Sequence, residues 1–348
     1  MTGLLEIKDR LIRFYSRYET WLFPVVKFVL ALTLFAMINA HIGFMDAISN
    51  WSTAFILALI CAVLPVNTML WLGAFVVLAD MYALSLEVAL TTLILFAALF
   101  FLYFRFAPEN GIMAVLTPIS FGLKVPYIMP VAGGLLRSIS SVFAVVCGTV
   151  IYYFLDGIQQ NAGTLNNVDS AEKGQPSRFD ISIGQLLGNK EMYLVIAIFV
   201  VTAVVVWIVR RLEVDYAWTL AIISGMLIEI AGLFVGFLVL GIEGKTAVML
   251  IGNIISMLIA FILQFLFMNL DYDRTERVQF EDDDYYYYVK AVPKKMVAVK
   301  DVKVKHFGNT ASMGKRIDHS RPAPQAEEEE HSRKVLAKEF DIDEDMLK

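Results

Sequence analysis

Four polar side chains stand where an apolar helix would be cheaper without them. Asp80 interrupts GAFVVLADMYAL, Glu229 interrupts GMLIEIAGLF, Asn253 lies in LIGNIISML, and Lys124 lies in the proline-rich run TPISFGLKVPYIMP. Ionisable groups in an apolar span are expensive, so each marks either a path for protons, ions or solute, or a polar contact that fixes helix packing. A Glu229–Lys124 ion pair would serve either purpose, and the sequence leaves both open.

Other chemistry finds no residues to carry it. Cys61 and Cys147 both sit in apolar runs and are expected to be buried thiols. His41, His306, His319 and His331 have no ligand spacing, so no metal or other cofactor is expected. GIEGKT at 241–246 ends like a phosphate loop, but Val239 stands where that loop needs glycine. With no nucleophile–base set in view, the chain is not expected to be an enzyme. An ATP-driven step would need a separate ATPase chain. The basic residues of the tail are balanced by acids, which excludes a nucleic-acid role.

The elements that must position these residues are membrane helices. Of 348 residues, 58% are hydrophobic, and the mean hydropathy is +0.64. Apolar runs of about 20 residues, the length that crosses a bilayer, dominate 21–270. We expect an all-α integral membrane protein with about eight spans, near 21–42, 52–66, 67–84, 86–105, 135–155, 191–209, 217–240 and 246–270. The formal charge of −5 averages an apolar body and polar ends.

Residues 1–20 place Leu4, Leu5, Ile7, Leu11, Ile12 and Phe14 near helical spacing among Lys8, Arg10, Arg13 and Arg17. That is the pattern of a basic amphipathic helix on a membrane surface, or of an extension of the first span. Lys27, near the start of that span, could snorkel to the interface. Residues 108–134 carry Pro108, Pro118, Pro126 and Pro130 and cannot be a straight span, because each proline removes a backbone donor. A re-entrant hairpin or a pair of half-helices at 112–134 is expected, buried in protein or lining a cavity. Half-helix ends would present dipoles to a ligand, and Lys124 would favour an anionic group. Residues 156–190 form a polar loop by composition.

Arg105, Arg137, Arg210 and Arg211 and the basic ends fall on one side of this topology, the cytoplasmic side by the positive-inside rule, with both termini inside. The tail from 271 divides into a β-rich segment at 271–310, a flexible linker at 311–330 and an amphipathic helix at 331–348. EDDDYYYY opens the β-rich part, with Tyr286 and Tyr288 on one strand face. These tyrosines, with Phe340 and Ile342 of the last helix, are candidates for docking a cytoplasmic partner.

RVQFEDDDYYYYVKAVPK, KEFDIDEDML and PENGIMAVLTPISFGLKVPYIMP resemble a family of bacterial polytopic membrane proteins often labelled ABC-transporter permeases. The resemblance implies a bacterial plasma membrane and a permease role, although the chain lacks the Glu-Ala-Ala coupling loop of importer permeases. Two functions are therefore carried forward: a permease-like subunit served by a separate ATPase, and a membrane scaffold whose tail recruits partners. Homo-oligomerisation is left open.

Overall fold

The computed structural model describes residues 2–167, 177–242, 244–268, 276–281 and 285–291. The expected linker at 311–330 and terminal helix at 331–348, with Phe340 and Ile342, lie outside these residues. Among the described residues the chain is almost entirely helical. The helices run α1 Thr2–His41, α2 Trp51–Val63, α3 Val66–Leu84, α4 Leu86–Phe106, α5 Gly111–Gly122, α6 Ile128–Leu136, α7 Ser141–Asn167, α8 Arg178–Gly188, α9 Lys190–Val209, α10 Ala217–Leu240 and α11 Thr246–Phe267. Seven of them, α1, α3, α4, α7, α9, α10 and α11, are long and apolar enough to cross a membrane. Trp71, Phe75, Phe101, Leu227, Val239 and Ile254 lie on them, each more than half exposed, as lipid-facing side chains require.

The eighth expected span, 52–66, is α2, which has only 13 residues. At 1.5 Å per residue it is about 20 Å long, short of a hydrocarbon core of about 30 Å. Its end explains Lys27. Rather than snorkelling, the Lys27 ammonium is buried and donates to the Leu64 carbonyl at 2.9 Å, beside the Phe23 ring. A cation there satisfies an orphan carbonyl at the negative end of α2. α1 has non-helical backbone at Tyr18, where the basic segment meets the apolar one. Before that point Ile7, Leu11, Ile12 and Phe14 are about half exposed, while Lys8 is buried and donates to the Met268 carbonyl.

The proline-rich segment forms a helical hairpin, α5 and α6, and this hairpin is the hub of the bundle. α5 packs on α7 and α3, and α6 on α9, α7 and α11. From Ile128 to Leu135 every residue of α6 is buried, as broken backbone at membrane depth demands. The two ends of the hairpin come together, since the Asn110 amide donates to the Ser140 hydroxyl at 3.0 Å. Tyr103 and Asn67 hold its entry by hydrogen bonds to the Pro108 carbonyl. Arg210 holds its exit by donating to the Leu135 and Arg137 carbonyls, which caps α6. With 12 and 9 residues, neither arm is long enough for a full crossing. A cysteine replacing Lys124 at the hairpin tip, in a Cys61→Ser, Cys147→Ser background, is therefore expected to react with a membrane-impermeant maleimide from one side only, the side opposite Arg210. Labelling from the Arg210 side would refute this geometry.

Within the polar loop expected at 156–190, the described residues are largely helical. α7 continues to Asn167, and α8 begins at a capping box in which Ser177 and Asp180 bond each other's backbone. Composition hid α8 because the flanking stretch is rich in Asn, Gln, Gly, Ser and Asp; the Ser-x-x-Asp spacing and the apolar Phe179, Ile183, Leu186 and Leu187 were the available signals.

In the tail, β1 Glu276–Glu281 pairs antiparallel with β2 Tyr286–Ala291, with Gln279 opposite Tyr288 and Phe280 opposite Tyr287. Strand alternation places Tyr286 and Tyr288 on one face. Both are strongly exposed, whereas Tyr287 is markedly less so.

Candidate functional site

The tip of the hairpin is one wall of a cavity of about 260 Å³. Lys124, Pro126 and Tyr127 come from the tip, Tyr152, Tyr153 and Asp156 from α7, Glu191 from the first turn of α9, and Lys245 from the start of α11. Phe121, Val195, Phe237 and Met249 are buried and add apolar surface. Lys124 and Lys245 are exposed, so the cavity opens to solvent at the end of the bundle opposite Arg210.

A specific backbone device places Lys124 there. The Val125 N–H bonds the Ser120 carbonyl at 2.9 Å and the Lys124 N–H bonds the Phe121 carbonyl at 2.9 Å. These are the two bonds of a Schellman ending to α5, and they require a left-handed residue, normally glycine. Lys124 occupies that position with φ +60°. A non-glycine residue there costs about 1–2 kcal/mol. Strain of this kind persists where the surrounding structure enforces it, and it points to use of the side chain.

Lys245 and Glu191 form an ion pair of 2.7 Å, and Tyr153 donates its phenol proton to the other Glu191 oxygen at 3.3 Å. Lys124 and Asp156 make no ion pair. The cavity therefore offers one ammonium outside any ion pair, the Asp156 carboxylate, which accepts from the Gln160 amide at 2.7 Å but has no cationic partner within ion-pair distance, and three phenol rings. That set suits a small solute bearing both charges, or an anion with an apolar body.

The four polar residues of the spans separate in space. Lys124 lines the cavity; Glu229 does not, and the two form no ion pair. Glu229 is completely buried on α10 with both carboxylate oxygens unpartnered. Asn253, on α11, is buried beside Gly252, whose Cα packs against the Tyr127 ring and the Lys124 carbonyl. Asp80 has a local role. It is fully buried, and Oδ1 accepts from the Met45 N–H at 3.0 Å, anchoring the turn that follows α1.

Sequence reasoning missed Tyr127, Tyr152, Tyr153, Asp156, Glu191 and Lys245. Asp156, Glu191 and Lys245 fall at or beyond the ends of the expected spans and the tyrosines are unremarkable in apolar runs, so only helix packing assembles them. Among the described residues no cluster of three or more acids, histidines or cysteines could hold a metal ion. The chain matches no protein-family model, no curated protein and no solved structure, so the site is argued from its geometry alone.

Proposed function

We propose that the protein is a permease-like membrane subunit that admits a small charged solute at the cavity above the hairpin tip. The observation that carries this reading is Lys124, a lysine held in a strained glycine position with its side chain in a solvent-open cavity. A residue kept for packing alone would more cheaply be glycine or asparagine. The hairpin is re-entrant in this reading, with its joined ends and Arg105, Arg137 and Arg210 on the cytoplasmic side of a bacterial plasma membrane. The buried Ile128–Leu135 stretch of α6 lies between cavity and arginines, so passage requires the hairpin to shift. No P-loop is present in the sequence, and an ATP-driven step would fall to a separate ATPase.

The second reading, a scaffold, rests on the exposed Tyr286–Tyr288 face of the β-hairpin, which could dock a cytoplasmic protein. A thermal-shift screen of purified protein against amino acids, organic anions and organic cations separates the two. A saturable shift with zwitterions or anions, lost in Lys124→Ala and Asp156→Asn, is expected. No shift with any class, together with a stoichiometric partner lost on truncation after Asp273, would replace the permease by the scaffold.

A further inference from the structure

Three helices around the hairpin bury oxygen atoms that no donor reaches. On α10, both Glu229 carboxylate oxygens lack a hydrogen-bond partner; so do Thr202 Oγ1 on α9 and Asn253 Oδ1 on α11. The three residues are 0%, 0% and 1% exposed. Asn253 has committed its donor end, since Nδ2 gives its hydrogen bond to the Met249 carbonyl at 3.1 Å.

Packing pairs bring these atoms to one depth. Gly225, Gly232 and Gly236 of α10 meet Thr202 and Val206, Ile198, and Leu194 of α9 respectively. Glu229 follows Gly225 by four residues and precedes Gly232 by three, so it lies on the same stripe, facing α9 between Thr202 and Ile198. Gln264 of α11 donates to Thr219 of α10 at 2.7 Å and sets the register of that antiparallel pair. Counting from it, Glu229 is ten residues along α10 and Asn253 eleven back along α11, about 15–17 Å in the same direction. Gly225 also meets Val131 of α6, one turn below Tyr127, and Tyr127 lies within electrostatic range of Glu229. Glu229, Thr202 and Asn253 therefore gather beside the first turn of α6, and Tyr127 is the neighbour they share with the cavity.

All four orphan atoms can accept, and of the three side chains only the Thr202 hydroxyl also carries a proton to donate. A proton on Glu229 would supply one donor. A cation answers all four at once. One carboxylate balances a single positive charge, whereas a divalent ion would leave net charge in an apolar interior. Among α6, α9 and α11, the helices packed against α10, and the residue that precedes α6, Tyr127 is the titratable group within electrostatic range of Glu229, and no lysine or arginine acts on it.

We propose that Glu229, Thr202 and Asn253 form a buried binding site for a monovalent cation of sodium size, distinct from the Lys124 cavity. The site does not depend on the permease reading, because a cation there would stabilise the bundle whatever the protein moves.

The test is thermal unfolding of the purified full-length protein in sodium, potassium or choline chloride at equal ionic strength, paired with equilibrium binding of radioactive sodium. A saturable rise in melting temperature with sodium, absent with choline, is expected, together with bound sodium. Glu229→Gln should weaken that binding by about tenfold or more, and Thr202→Val by several-fold, while Thr202→Ser keeps the oxygen and the affinity. Identical melting in sodium and choline with no bound sodium overturns the site. So does a stability that follows pH alone and loses that dependence in Glu229→Gln, which would make Glu229 a proton carrier. The wild-type comparison decides the matter even if Glu229→Gln fails to fold.

Discussion

Lys124→Gly is expected to make the protein more stable and, at the same time, unable to hold its solute. The left-handed backbone at 124 disfavours any residue with a Cβ by about 1–2 kcal/mol. Glycine adds freedom to the unfolded chain, which offsets part of that gain, so a net rise of about 1 kcal/mol is the expected result. Denaturant or thermal unfolding measures it. The same variant removes the free ammonium of the cavity, so any ligand-induced shift found with the wild type should disappear. Lys124→Ala separates the two effects, because it loses the charge and keeps the strain. If Lys124→Gly were destabilising, the lysine would be making packing or hydrogen-bond contributions larger than the strain, and the case for a solute-facing role would fall.

The second large effect is expected at Gly148, where α7 crosses α5. A Cβ there would lie 2.6 Å from the Thr117 Cβ, and 3.1 Å from both the Ala114 carbonyl oxygen and the Pro118 Cδ. The close approach falls at the proline, whose missing N–H leaves the Ala114 carbonyl without its helical donor. Gly148→Ala gains about 1 kcal/mol of helix propensity and loses about 1–3 kcal/mol to the overlap, so it is expected to be neutral to destabilising. Gly148→Leu is worse: no rotamer moves its Cβ away from the Thr117 Cβ and the Ala114 carbonyl, and the hairpin must separate from α7. It is expected to abolish a monodisperse detergent-solubilised product, measured by size-exclusion chromatography. Gly163→Ala is the control. It lies on the same helix with nothing within 4 Å of its Cβ, so it should fold at least as well as the wild type. Equal behaviour of the two variants would refute the tight α5–α7 packing.

The two predictions probe different levels. Gly148 reports whether the hairpin is built into the bundle, and Lys124 reports whether its tip is used. A protein that failed only at Lys124 would retain the fold and lose the solute, and the scaffold reading would then rest on Tyr286 and Tyr288 alone.

The sequence by itself determined the solvent of this protein. Apolar runs of spanning length leave no alternative to helices in lipid, because every backbone polar group must be satisfied within the segment. The proline cluster likewise marked this stretch as one that is not a straight span, although only Pro126 lies in the break itself, with Pro118 inside α5 and Pro130 in the first turn of α6, and burial of α6 follows from the same rule. Local chemistry also announced Lys124, since an isolated cation in an apolar run is visible without a structure. Tertiary structure alone decided the rest. The short α2 and its Lys27 cap depend on where Leu64 ends against α1, which no single segment records. Helix register decided that Lys124 meets Asp156, Glu191 and Lys245 rather than Glu229. It also put Glu229 on the α10 stripe whose glycines pack against α9, because the pairing of helix faces depends on which glycines allow close approach. Periodicity tells which face of a helix is buried; only packing tells what that face is buried against.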